Sequence, residues 1–165
     1  MISVLETNEK DLVNVQRLWA DGNVMKFLGF PDGLQQTDED MVRWYRWIAA
    51  SRPRLNHYSV FENGIYCGET FYEIDENRGG SAALDIKLFP FARGRGIAAR
   101  ALSFAIEEAF RQGASSVWVD PNVWNEKAIR LYERLGFIRK PMPEDLRETE
   151  GITAIYMEKT RPSFR

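Results

Sequence analysis

The stretch that decides the fold is Leu84-Asp-Ile-Lys-Leu-Phe-Pro-Phe-Ala-Arg-Gly-Arg-Gly-Ile-Ala-Ala-Arg100. Apolar and polar residues alternate in its first half, as they do in a half-buried strand. Proline, glycine and arginine between Pro90 and Gly96 interrupt this alternation. Beyond the interruption, small and apolar residues recur at helical spacing, at Ala98, Ala101, Leu102, Ala105, Ile106 and Ala109. The stretch therefore predicts a strand, a tight glycine turn and an amphipathic helix that opens directly from the turn.

The glycine turn has the properties of a phosphate-binding site. The first turn of a helix leaves about four backbone N–H groups unpaired, and the helix dipole adds positive charge there. Gly94 and Gly96 allow a ligand to approach the backbone, and Arg93, Arg95 and Arg100 add formal charge. We expect the turn to bind a phosphate or pyrophosphate. A flexible loop with solvated arginines is the alternative that this segment alone leaves open.

Two well-known phosphate loops do not match this turn. A Walker sequence is excluded because no Gly-Lys-Ser/Thr follows the turn. The dinucleotide-binding fingerprint needs a third glycine, and Arg100 stands where that glycine should fall. The turn is therefore of another phosphate-binding type.

Length and composition indicate a globular protein with one domain over residues 1–165, since 44% of the residues are hydrophobic. The net charge of −2 offers no basic surface for nucleic acid. No apolar run approaches the roughly 20 residues of a membrane span, and the N-terminus lacks the features of a secretory signal. Cys67 and His57 are the only residues of their types, so we expect no disulfide framework, metal site or Ser-His triad. We expect a cytoplasmic protein without nucleic-acid or membrane partners.

The remaining patterns predict a mixture of strands and helices. Strands are expected at residues 2–6, 56–62, 65–75, 117–119, 137–139 and 152–158, besides the one that ends at Phe89. Helices are expected at residues 11–20, 98–111 and 125–134, and from a capping box at Thr37 and Asp40 to about Ala50. Residues 21–36 form an irregular apolar stretch, which is typical of a functional loop or lid.

A second candidate site lies on the helix that starts near Asn125. Asn125, Ala128 and Tyr132 are spaced at i, i+3 and i+7 and so share one helix face. These three side chains would line a groove. The alternative is a capped helix with Tyr132 half-buried in the core.

Both motifs resemble those of the GNAT N-acetyltransferases. Arg93-x-x-Gly96-x-Ala98 is similar to the family signature Arg/Gln-x-x-Gly-x-Gly/Ala, with alanine in place of the commoner glycine. The run from Asn125 through Ala128 and Tyr132 to Gly136-Phe137 resembles the second motif, and the likeness covers about residues 65–140. The resemblance implies an α+β fold, with a mostly antiparallel, splayed sheet of six to seven strands flanked by about four helices. It also implies acetyl-CoA in the cleft of that sheet.

The resemblance assigns roles to individual residues. The pyrophosphate would lie on the backbone of the glycine turn and the residues after it: Gly94, Arg95, Gly96, Ile97, Ala98 and Ala99, next to Arg93. The pantetheine would pair like an extra strand beside Ile86, Lys87, Leu88 and Phe89, with Asn125 and Ala128 near it. The Leu88 N–H would hold the acetyl carbonyl, where oxyanion stabilisation is often the largest catalytic contribution. Tyr132 would be the general acid that protonates the departing thiolate.

The sequence says less about the amine that accepts the acetyl group than about the cofactor. Glu69, Glu73 and Asp75 share one face of their strand, where they either attract an amine or are solvated charges. Asp85 and Asp120 are better candidates for binding or deprotonating the amine, since both adjoin the cleft. Trp19, Phe30, Trp44 and Trp47 would wall the acceptor pocket, although such aromatics more often belong to the core.

The run around Asp120 resembles both the aminoglycoside 6′-N-acetyltransferases and the ribosomal-protein N-terminal acetyltransferases. We therefore expect an enzyme that transfers acetyl directly to a primary amine of a small molecule, such as an aminoglycoside or polyamine. A peptide N-terminal acetyltransferase and a non-catalytic acyl-CoA sensor are the alternatives. The protein would be a monomer or homodimer.

Overall fold

The computed structural model describes residues 1–147 and 153–163. Within them the strands are β1 (Ile2–Glu6), β2 (Leu55–Glu62), β3 (Ile65–Asp75), β4 (Ser81–Leu88), β5 (Ser116–Val119), β6 (Ile138–Lys140) and β7 (Tyr156–Thr160). The helices are α1 (Leu12–Ala20), α2 (Gly22–Met25), α3 (Asp38–Ser51), α4 (Ile97–Arg111) and α5 (Glu126–Arg134).

The seven strands form one sheet in the order β1-β2-β3-β4-β5-β7-β6. All neighbouring pairs are antiparallel except β4 and β5, which are parallel. The expected α+β class with a mostly antiparallel sheet is therefore confirmed. One helix more than expected is present in the described part of the chain, because Asp21 caps the single turn of α2 within the stretch predicted to be irregular.

The sheet splays between β4 and β5. The two strands pair only where Ser81, Ala82 and Ala83 lie opposite Ser116, Val117 and Trp118. β4 continues to Leu88, whereas β5 ends at Val119. A cleft therefore opens between the two strands toward their carboxyl ends, which is where α4 and α5 begin.

Helices cover both faces of the sheet. On one face, α4 and α5 pack on the even-numbered residues of β3 and β4 and form the main core, which includes Tyr72, Ile74, Ala82, Leu84, Leu102, Ala105, Val117, Ile129 and Tyr132. On the other face, α1, α2 and α3 form a second core with Val15, Leu18, Met25, Met41 and Tyr66. The odd-numbered side chains of β4, and those of β3 from Glu69 onward, lie on the α1–α3 side of the sheet. A bulge at the start of β3 reverses the order there, so that Tyr66 lies on the α1–α3 side and Cys67 on the α4 side.

Most element boundaries agree with the sequence patterns. β3 spans the predicted residues, and α4 begins one residue earlier than expected, at Ile97. The last strand begins at Tyr156, and the predicted start at Ile152 lies outside the described residues. None of the helices in the described ranges has the length and apolar character needed to cross a bilayer.

Candidate active site at the splay of the sheet

The glycine turn is open to an approaching ligand. Gly94 and Gly96 have φ angles of +77° and +79°, which favour glycine, and a Cβ at either position would meet no atom within 4 Å. Gly96 is the residue that precedes α4, so the free N–H groups of the first turn of α4 lie directly after the open backbone. This geometry suits a phosphate group.

Two arginines of the turn fasten it to its surroundings. The Arg93 guanidinium donates to the Leu88 carbonyl at 3.1 and 3.2 Å and to the Asn23 carbonyl at 3.0 Å. Arg95 forms an ion pair with Glu62 at the end of β2. The two side chains therefore carry positive charge to the turn while they hold its position against β4, α2 and β2.

The end of β4 presents backbone groups to the cleft. The Phe89 N–H donates to the Cys67 carbonyl of β3 at 2.9 Å. Since successive residues of an antiparallel strand alternate in direction, the Leu88 N–H points the other way, toward the cleft. The Ile86 N–H on that edge donates to Asp85 Oδ1 at 2.8 Å. The Leu88 N–H can therefore offer a hydrogen bond to an extended ligand, and the Ile86 N–H can do so where the ligand replaces Asp85.

Tyr132 lies in the core beneath this edge. Its side chain is 4% exposed, and its ring lies 5.6 Å from that of Phe137. Burial raises the pKa of Tyr132 well above its ordinary value, and the charges of Asp85 and Asp120 raise it further. The charges of both aspartates thus act on Tyr132, and its raised pKa keeps the phenol protonated at neutral pH.

Asn125 has a structural role in the second motif. Its Oδ1 accepts a hydrogen bond from the Ala128 N–H at 3.3 Å and caps α5. Ala98, Ala99 and Ala128 are partly buried against the same core as Tyr132. The capped helix with a core tyrosine is therefore present, and it places the shared face of α5 against α4 beside the cleft.

A buried charge network occupies the opposite face of the sheet. Glu69 is 2% exposed, and its carboxylate accepts hydrogen bonds from Trp19 Nε1 at 3.0 and 3.1 Å. It also lies 2.8 Å from His57 Nε2 and 3.3 Å from Lys87 Nζ. Lys87 in turn pairs with Asp85. A chain of charged groups therefore runs from the interior to the cleft.

Electrostatics keep this network ionised. Burial by itself raises the pKa of Glu69, but the charges of His57 and Lys87 and the hydrogen bonds from His57 and Trp19 outweigh it and lower that pKa to about 2. Burial likewise opposes the charge on Lys87, but Asp85 and Glu69 raise its pKa above the ordinary value. Lys87 therefore remains an ammonium group beside the cleft.

Sequence reasoning missed the network. The single histidine gave no sign of a site in the sequence, yet the His57 ring contacts Thr7 Oγ1 at 2.7 Å and Glu69 at 2.8 Å. Glu69 and Lys87 lie opposite each other on β3 and β4, and the sequence does not fix the register that pairs them. The other two carboxylates of β3 are structural: Glu73 pairs with Arg54 at 3.0 Å, and Asp75 accepts from the Asn77 N–H at 2.9 Å.

A cavity of about 170 Å³ lies between this network and the helices α1 and α3. Its lining consists of aromatic and aliphatic residues with three members of the network and Glu73: Trp19, Trp44, Trp47, Ile48, Leu55, His57, Glu69, Phe71, Glu73 and Lys87. Three of the four aromatics expected at an acceptor pocket thus line one cavity. Phe30 is 40% exposed and is not among the lining residues. A wider groove of about 590 Å³ lies between α4 and β1 and is bordered by Gly96 and Ala99.

Comparison with known proteins agrees with this architecture. An acetyltransferase of the GNAT family from Streptococcus pneumoniae superposes with a TM-score of 0.80 at 22% identity, over 97% of this chain and 99% of that one. The spermidine N-acetyltransferase of Vibrio cholerae, solved with CoA and spermine, gives a TM-score of 0.77 at 19% identity, over 95% and 92% of the two chains. These likenesses show the fold.

A curated relative is similar in sequence. The N-alpha-acetyltransferase MAK3 of Arabidopsis thaliana is 33% identical over 98 residues, which are 58% of this chain. The matched stretch spans half the length of that relative. Residues 22–137, well over half of the chain, match the model of the family described as Acetyltransferase (GNAT) family. The protein therefore belongs to the GNAT family of acetyltransferases.

Proposed function

We propose that the protein transfers an acetyl group from acetyl-CoA directly to the primary amine of a small molecule. The observation that carries the proposal is the cleft between β4 and β5, which has an open glycine turn at one end and a buried, neutral phenol beside it. Family membership supports acetyl transfer, and a structural neighbour solved with CoA supports the cosubstrate.

In this proposal, each part of acetyl-CoA has its own group of contacting residues in the cleft. The backbone N–H groups of residues 94–99 hold the pyrophosphate, and the arginine charges beside the turn strengthen that contact. The edge of β4 at residues 86–89 pairs with the pantetheine amides. Asn125 and Ala128 contact the same arm from α5. The bound thioester supplies an activated acetyl carbon with a good leaving group.

The chain's own groups then act on the reacting atoms. The Leu88 N–H donates to the acetyl oxygen, where negative charge develops as the amine nitrogen forms its bond to carbon. Tyr132 donates its proton to the sulfur as the carbon–sulfur bond breaks. An ammonium group loses two protons when it becomes an amide. One replaces the proton that Tyr132 gives to sulfur, and the other reaches solvent through Asp85 or Asp120.

A second candidate acceptor is the N-terminal amine of a peptide. The Arabidopsis relative is named as an N-alpha-acetyltransferase, and that observation favours this acceptor class. The chemistry at the cleft would be the same. The two candidates differ only in what the acceptor carries beyond its amine.

The test is a thiol-release assay with acetyl-CoA against free amines, including aminoglycosides and polyamines, and against peptides with free N-termini. Release that depends on a free amine is the expected result. Release with peptides alone would replace the small-molecule acceptor by a peptide. Tight acetyl-CoA binding in calorimetry without release for any amine would indicate a sensor. Absence of binding would overturn the role of the glycine turn.

A further inference from the structure

We infer that the acceptor is a primary amine whose carbon chain carries one apolar group of about the size of a benzene ring and no further positive charge. This inference rests on the proposed function for its reaction. The size and charge of the acceptor are inferred from the cavity between β3, α1 and α3. The inference narrows the acceptor away from polyamines and aminoglycosides, which carry several positive charges.

The lining of the cavity is mainly apolar. Trp19 and Trp44 meet edge to face with ring centroids 4.9 Å apart, and Trp44 meets His57 in the same manner at 4.7 Å. Phe71 adds a ring from β3, and Trp47, which is 50% exposed, stands at the opening to solvent. Rings held in fixed mutual contact form a preformed surface, and such surfaces favour a flat apolar group.

The carboxylates of the lining are already paired. Glu69 pairs with Lys87 at 3.3 Å and contacts His57 Nε2 at 2.8 Å, and Glu73 pairs with Arg54. Of the described residues that line the cavity, no carboxylate is left for a second ammonium group, and Lys87 would repel one. Removing a charged group from water without a partner is costly. A polycation is therefore a poor occupant of this cavity.

The size and position of the cavity fit one small ring. A cavity of 150 Å³ lined by apolar side chains is known to admit benzene, and the present one measures about 170 Å³. The register places Phe71 of the cavity wall directly opposite Asp85 of β4. Neighbouring strands lie about 4.8 Å apart, so a ring packed against Phe71 places an amine on a short carbon link on the Asp85 side of the cavity. Asp85 also pairs with Lys87, but its side chain is 30% exposed and lies outside the cavity lining, so it is the carboxylate that a single incoming ammonium group can reach.

The experiment compares phenylethylamine with ethylamine, spermine and kanamycin in the thiol-release assay. A short peptide that begins with phenylalanine is also tested. It presents a primary amine near a phenyl ring, as phenylethylamine does, and so shows whether the acceptor is a free amine or a peptide N-terminus. We expect kcat/KM to be at least about tenfold higher for phenylethylamine than for ethylamine, because hydrophobic pockets discriminate by this order. Preference for spermine or kanamycin would overturn the inference.

Variants locate the effect in the cavity. Trp47→Ala should raise KM for phenylethylamine about tenfold and leave KM for ethylamine unchanged. Trp124→Ala is the matched control, since Trp124 is 79% exposed and does not line the cavity. Equal effects of the two variants would contradict the inference.

A binding measurement separates this inference from the proposed function. Phenylethylamine should change the fluorescence of the cavity tryptophans in the wild type and should do so less in Trp47→Ala. If it binds in this way while no amine gives thiol release, the cavity assignment stands and the proposed reaction fails. If release occurs but phenylethylamine neither binds nor reacts, the reaction stands and the cavity assignment is wrong.

Discussion

At the scale of single residues, Tyr132 shows how burial prepares a group for proton donation. Its pKa is raised by burial and by Asp85 and Asp120, so the phenol is protonated before the thiolate leaves. We expect Tyr132→Phe to lower kcat by roughly 10²–10⁴-fold, the usual contribution of general acid catalysis. The dissociation constant of acetyl-CoA, measured by calorimetry, should change little. Equal losses in turnover and affinity would argue for a packing role instead.

Glu69 is the residue on which the network depends. Removal of one partner from a buried ionic group commonly costs about 3–5 kcal/mol, so Glu69→Gln should destabilise the protein by this order. His57→Gln is a useful companion variant, because it keeps a hydrogen-bond donor beside the carboxylate and should cost less.

The pH dependence of stability gives a second test of Glu69. Its folded pKa lies below the ordinary value of 4.5. A carboxyl group with a lowered pKa stabilises the fold above that ordinary value and loses the contribution as pH falls toward the folded pKa. Denaturant unfolding at a series of pH values should show the wild type and Glu69→Gln converging below 4.5. A difference that stays constant down to the acid limit would show that Glu69 is not held ionised.

At the scale of elements, the role of the turn before α4 can be tested by comparing the same substitution at the two ends of that helix. Gly96 and Gly113 flank α4, both have positive φ angles, and a Cβ at either would meet nothing within 4 Å. The positive φ angle should make aspartate cost about 1–2 kcal/mol of stability at either position, and the helix dipole should lower that cost at Gly96 and raise it at Gly113.

Only the substitution before α4 should affect the ligand. Gly96→Asp places negative charge where the pyrophosphate is proposed to bind, and we expect acetyl-CoA affinity in calorimetry to fall at least about 100-fold, or 2.7 kcal/mol. Gly113→Asp should bind as the wild type does. Equal binding by the two variants would remove the glycine turn from the site.

The elements themselves were largely readable from the sequence, because each long one carries its own period and its own stop signals. β3 follows from alternation between two turns, and α3 follows from the capping box of Thr37 and Asp40. α2 was not predicted, since a single turn held by the Asp21 side chain is too short to show a period.

At the scale of the whole molecule, the sequence indicated the glycine turn, the α5 motif and three aromatics that line the cavity, but not the charged network beside them. The glycine turn and the α5 motif consist of residues close together in the sequence, whereas the acceptor side forms when distant strands pair in a particular register. Glu69 meets His57 and Lys87 only after β2, β3 and β4 have paired. Trp19 and Trp44 come together from α1 and α3 over a distance that periodicity does not encode. Buried polar contacts between distant residues are therefore the part of the site that required the structure.

The splay between β4 and β5 also predicts how acetyl-CoA binding changes the stability of the whole molecule. The two parts of the sheet are joined by only three residue pairs between β4 and β5, and β4 has an edge at Leu88 that faces the cleft. A ligand seated along that edge would bridge the two parts and protect its amides. At 100 times its dissociation constant, acetyl-CoA should stabilise the fold by about 2.7 kcal/mol.

Hydrogen exchange distinguishes this bridging from a general gain in stability. With acetyl-CoA, the Leu88 amide should slow by more than the interior amides of β2, such as that of Val60, because those respond only to global unfolding. In Gly96→Asp the selective slowing should disappear at the same ligand concentration. Uniform slowing of both amides in the wild type would show that the ligand stabilises the fold without pairing along β4. The Leu88 N–H would then lose its proposed role at the acetyl oxygen, because a donor that the ligand does not protect is not in contact with it.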